Sequence, residues 1–240
     1  MPRFAIPLAG AVIAATLVAA PAAAQSVAAK QLAGGSCSAD PNDPQIIATN
    51  PLLPLPGDAA KVRAIGERVK AAILPYRSIA AAKRDGYRGF GDDPGRGIVH
   101  YVHTWRSWRE GARLNPEKPG ALLYLRTDTD GGPEYELVGA MFVANDNATI
   151  DELNERVPLS QASWHMHTNI CTPRPIWSRK KWGRLAADGR PLYGPGSPTD
   201  TRAECDAVGG KFHDTIFGWM VHVYPFRADP ADWWKEDARH

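Results

Sequence analysis

Hydrophobic positions recur along this chain with two periods, and the change from one to the other predicts its elements. Between Asp58 and Leu74 the apolar residues Val62, Ile65, Val69 and Ile73 fall at three- and four-residue steps, while Lys61, Arg63, Glu67, Arg68 and Lys70 take the other faces. That pattern is an amphipathic helix, with Asp58 as its N-cap and Pro75 as its stop. A shorter helix follows, from Tyr76 or Ser78 to Asp85, and Gly86 closes it. From Gly97 to Trp105 the residues become β-branched and aromatic, which predicts a strand. Ala121 to Thr127 and Glu134 to Asn145 are two more strands. The turn sequence Asp128-Thr129-Asp130-Gly131-Gly132-Pro133 between them makes an antiparallel hairpin. Thr149 with Glu152, and Thr201 with Glu204, are capping boxes that open short helices, the second closed by Gly209-Gly210. The last strand runs from Phe217 to Tyr224. Trp219, Val221 and Val223 share one of its faces; Met220, His222 and Tyr224 share the other.

These elements add up to one α+β domain: an antiparallel sheet or partly closed β-barrel, of roughly five to seven strands, covered at one end by the two N-terminal helices. Residues 1–24 carry a basic start, an apolar run from Phe4 to Ala20 and a small-residue cleavage site, the pattern of a secretory signal peptide. Residues 25–56 are rich in Gly and Pro and read as a lead-in with little regular structure. Residues 57–240 form the domain, and 172–200 form a long flap carrying Trp177, Arg179, Lys180, Lys181, Trp182 and Arg184. Removing residues 1–24 lowers the formal charge from +2 to +1, because only Arg3 is lost. A near-neutral chain gives no reason to expect a nucleic-acid partner. No later run is apolar enough to span a membrane, so periplasmic or secreted localisation is expected.

Candidate chemistry concentrates in Ser163-Trp164-His165-Met166-His167-Thr168-Asn169-Ile170-Cys171. In an extended strand His165, His167 and Asn169 share one face, and two imidazoles so spaced can reach one ion. A metal site needs further ligands from elsewhere. His222 in the last strand is one, and His100 in the first is another. His100 and His103 point opposite ways in a flat strand; Tyr101 and Trp105 on the His103 face read as core, which favours His100. Imidazole donors suit copper, zinc or iron rather than calcium or magnesium. Met220, two residues from His222, would add a soft donor and favour copper, although a strand methionine also serves as core filler. Cys171 and Cys205 bracket the irregular flap and pair best as a disulfide in an oxidising compartment, with Cys171 as a thiolate ligand the alternative. Cys37 is then left over. No nucleophile elbow, His-Glu-x-x-His, phosphate-binding loop or EF-hand spacing is present.

The Trp-His-x-His group resembles the paired-histidine strands of cupins and multicopper oxidases. It lacks the acidic ligand that follows in the first and the His-Cys-His group of the second. A longer resemblance runs through Asp85-Gly86-Tyr87, Gly97-Ile98-Val99-His100-Tyr101-Val102, Ala121-Leu122-Leu123-Tyr124, Leu137-Val138-Gly139-Ala140-Met141-Phe142, Trp164 to Cys171 and Gly218 to Pro225. This set is similar to a functionally uncharacterised family of exported bacterial proteins. The resemblance implies an exported α+β domain and no particular activity. The expected function is therefore an exported protein with a histidine-based transition-metal site, storing the ion or using it in catalysis. The alternatives are a metal-free module that binds a small molecule and a structural envelope protein.

Overall fold

In a computed structural model, which describes residues 35, 37–40, 43–89, 97–176 and 178–235, the chain forms eight strands. They are β1 Cys37–Ala39, β2 Ile46–Thr49, β3 Arg88–Gly89, β4 Gly97–Val102, β5 Ala121–Thr129, β6 Gly132–Ala144, β7 His165–Pro173 and β8 Gly210–Val223. The helices are α1 Asp58–Ile73, α2 Ile79–Arg84, α3 Thr104–Glu110, α4 Ile150–Arg156, α5 Arg179–Trp182 and α6 Arg202–Ala207. All strand pairs are antiparallel, in the order β1-β2-β7-β8-β6-β5-β4-β3, and the sheet stays open. The expected signal peptide lies outside the described residues.

The β5/β6 hairpin extends to a two-residue turn, with Thr129 opposite Gly132. Both capping boxes form, at Thr149/Glu152 and Thr201/Glu204. The N-cap of α1 is Gly57 in the left-handed region (φ 97°), not Asp58. The Asp58 carboxylate instead accepts the Leu55 N–H and the Ser160 hydroxyl, tying the helix entry to the turn after α4.

The expected strands change too: the one predicted from Gly97 to Trp105 stops at Val102, and Trp105 lies in α3. The lead-in contributes β1 and β2, because Ile46-Ile47-Ala48-Thr49 is a short β-prone run that pairs with β7, setting Ile46 opposite His167 and Ala48 opposite His165. Gln45, buried beside it, donates to the Asn169 and Ser197 carbonyls and accepts the Gly196 N–H, joining this edge to the flap. The last strand also starts earlier than expected, at Gly210 rather than Phe217, and its first half is half-exposed or exposed beyond Gly210, which hides the alternation.

One face of the sheet takes the larger core. Val62, Ile65, Val69 and Ile73 of α1 belong to it with Tyr124, Phe142, Trp164, Met166, Trp219, Val221 and Val223. The tail closes over the same helix: Trp233 packs on Gly66, where even a methyl group would lie 2.5 Å from the indole, and the Trp234 indole N–H donates to the Val62 carbonyl. The other face carries a separate cluster of Ile98, Ala121, Leu123, Met141, Val143, Met220 and Tyr224. A third small core, Cys171, Cys205, Leu192 and Tyr193, sits under the flap, where Cys171 and Cys205 form a disulfide with Cα atoms 5.5 Å apart. Cys37 is free and buried, and burial pushes its thiol up to about 11.

Candidate functional site

Alternation along β8 decides which residues can meet. Met220, His222 and Tyr224 project to the face away from α1, and cross-strand pairing sets Met220 opposite His165 and His222 opposite Met141. Residues directly opposite in an antiparallel pair share a face, so β7 brings His165 beside the β8 residues. His167 follows two positions later, with a register shift between them. Over that step two positions of β7 span four of β8. The excess is taken up around Phe217 and Gly218, both in the left-handed region (φ 70° and 74°). Only glycine fits at 218, since a Cβ there would lie 2.2 Å from the Ala144 carbonyl oxygen.

His100 arrives from further away. β4 lies three places from β8, about 14 Å on a flat sheet at normal strand spacing. The His100 and His222 rings are nevertheless 5.6 Å apart between centres. The sheet must curl strongly, with these side chains on its inner surface. A register shift at Leu123/Tyr124 supplies part of the bend. Gly139 permits the close approach of β8: a Cβ there would lie 2.2 Å from the Val223 carbonyl oxygen and 3.2 Å from the Tyr224 ring.

The four histidines form a row. Ring centres are 5.7 Å apart for His167 and His165, 5.0 Å for His165 and His222, and 5.6 Å for His222 and His100. Tyr224 stands 6.2 Å from His222. His165, His167 and His222 are 6%, 8% and 1% exposed, and His100 is half-buried. Two imidazoles bound tetrahedrally to one ion at about 2.0–2.1 Å have ring centres about 5 Å apart, so each neighbouring pair stands near ligand separation. Among the described residues, no three His, Cys, Asp or Glu side chains are gathered as a ligand set. The rings are neighbours in sequence along the row and do not point at one common centre.

No family model, curated protein or solved structure matches this chain.

The remaining candidates fall elsewhere. Asn169 does not join the histidine face: it takes a left-handed conformation (φ 56°) and is exposed. His103 caps α3, its ring accepting the Arg106 N–H, and meets the Tyr87 ring edge-on; Trp105, expected as core on its face, is exposed in α3. Cys171 is held in the disulfide and is not a thiolate donor. His213, on the outer half of β8, contacts the Thr172 hydroxyl; burial holds its imidazole below the usual value. Met141 was not legible as a site residue, since only the β6/β8 register places it opposite His222. Its alternation with Gly139 and Val143 in the strand is the signal that locates it once that register is known.

Proposed function

We propose that this is an exported protein that binds a transition metal ion on the curled inner face of its sheet. His165 and His222 form the nucleus, and His167 and His100 are the further donors. The observation that carries this reading is the unbroken row of four imidazoles, drawn from three strands and packed at ligand-like separations on one buried face. Stacking four imidazoles in a row, three of them buried, has little value for packing, whereas imidazole is the commonest metal-binding side chain. His167 and His100, at the two ends of the row, would have to turn toward the His165/His222 pair to complete a three- or four-ligand set. Copper, zinc and iron are the ions that such donors hold. Export is supported by the N-terminal pattern, by the disulfide, and by the lack, among the described residues, of any helix long and apolar enough to cross a membrane.

Elemental analysis of protein purified without a histidine tag tests the reading. About one ion per chain is expected, lost in His165→Ala/His222→Ala. Metal-free protein that stays metal-free when titrated with zinc or copper would refute it.

A second reading, a module that binds a small molecule without metal, draws on a cleft of about 390 Å³ lined by Thr104, Ser107, Trp108, Asn145, Asp146 and Phe217. Under that reading the histidine variant leaves ligand binding intact while Trp108→Ala abolishes it, as read by tryptophan fluorescence against a small-molecule panel.

A further inference from the structure

We infer that the ion is copper, held as Cu(I) by His165 and His222 together with the thioethers of Met220 and Met141. The inference rests on the metal-binding reading above and narrows it.

The chain has four methionines; Met1 lies outside the described residues, and the sheet separates the roles of the other three. Met166 is fully buried in the core beneath α1, between the two histidines in sequence but on the opposite face, and packs as an ordinary apolar side chain. Met220 and Met141 lie on the histidine face. Each stands directly opposite one of the two central histidines: Met220 across from His165, and Met141 across from His222. Side chains in such pairs have Cβ atoms about 4.5–5.5 Å apart, within reach of one shared ion. The two pairs lie on successive rungs, so the four residues run His165, Met220, His222, Met141 across three strands, with an imidazole and a thioether in each pair, and the curl of the sheet is what draws the outer two toward the centre.

Donor chemistry then selects the ion. A thioether is a soft, uncharged ligand suited to Cu(I), whereas protein Zn(II) is held by thiolate, imidazole and carboxylate. Charge points the same way. Met220 and Met141 are 4% and 6% exposed, and their neighbours Ile98, Ala121, Leu123 and Val143 are apolar. Neutral ligands leave the whole ionic charge in this apolar setting. The desolvation cost rises with the square of the charge, so a monocation is much cheaper to bury there than a dication.

The test uses the full mature chain under anaerobic conditions. Cu(I) affinity is measured by competition with a chromophoric Cu(I) chelator, and Zn(II) affinity by competition with a zinc chelator. The key variant is Met141→Leu/Met220→Leu, which conserves core volume and so keeps the fold; circular dichroism checks this. The expected result is a loss of roughly 10–100-fold in Cu(I) affinity, with Zn(II) affinity unchanged. Sulfur neighbours seen by X-ray absorption at the copper edge should disappear in the variant. Equal Cu(I) affinity in wild type and variant, or a copper site without sulfur, overturns the thioether assignment and leaves the histidine site standing. Failure of the wild type to bind either ion overturns both.

Discussion

The two faces of the sheet are built from the same strands and do different work. The face under α1 is filled by Tyr124, Phe142, Trp164, Trp219 and the aliphatic residues of the helix, a mixture that packs for its own sake. The inner face carries four histidines and two methionines among a few aliphatic residues. On β8 the two programmes alternate residue by residue, from Trp219 to Tyr224. On the metal-binding proposal, the difference separates stability from function. Substitutions on the first face should unfold the protein, and those on the second should leave it folded but altered in what it binds.

The largest effect is expected from Trp219→Ala. It empties a fully buried indole site and should cost about 3–5 kcal/mol in urea unfolding. His222→Ala, one face over and three residues on, should cost clearly less in metal-free protein. Equal losses would erase the distinction between the faces. Next is the disulfide. It closes a 34-residue separation, and chain-entropy arguments give it about 3–4 kcal/mol. Cys171→Ser/Cys205→Ser should lower the melting temperature as reducing agent does in the wild type, and reductant should then have no further effect. A third comparison adds metal. An ion at one hundred times its dissociation constant stabilises the folded state by about 2.7 kcal/mol. That increment should appear in the wild type and in Trp219→Phe, and vanish in His165→Ala/His222→Ala.

What the sequence made legible follows from how local each signal is. The three- and four-residue spacing from Val62 to Ile73 and the two Thr/Glu capping boxes act over a few residues and appear as read, and the hairpin signal from Asp128 to Pro133 forms a hairpin with a tighter turn than read, Asp130-Gly131. The Cys171–Cys205 pairing was readable because the two residues bracket a single irregular segment. The lead-in strands were not legible, since four residues from Ile46 to Thr49 gain strand structure only by pairing with β7, more than a hundred residues away. The His165/His167 pair was plain, yet its partners depend on register and curl. His100 reaches His222 only because the sheet bends at Leu123/Tyr124 and because Gly139 lets β8 come close. Met141 joins only through the β6/β8 register. Neither bulge nor curl has a short sequence signature.

Glu110 shows that a buried polar side chain is not by itself a sign of chemistry, and it yields the smallest of these effects. It is 2% exposed, and its two carboxyl oxygens accept backbone N–H groups from Gly120 at 2.5 Å and Val143 at 3.3 Å. Arg156 braces the same turn through the carbonyls of Glu110, Gly111 and Ala112. Glu110 is thus a backbone anchor at the end of the sheet, answered on both oxygens by the main chain, where the histidines of the inner face pack against one another. Burial, opposed by those two hydrogen bonds, raises its carboxyl well above the usual carboxylate range. The folded protein then keeps a proton that the unfolded chain has released. The stability that Glu110 contributes is full below the ordinary carboxylate value and is lost as pH rises through the folded value, at up to about 1.4 kcal/mol per pH unit. Glu110→Gln cannot titrate, and its amide opposes one of the two N–H groups. It should be less stable than wild type in acid, with the gap narrowing as pH rises, when unfolding is measured by urea at a series of pH values. A gap that stays constant with pH would mean that the carboxyl is already ionised in the fold, held by its two N–H donors, and that burial does not dominate at this position.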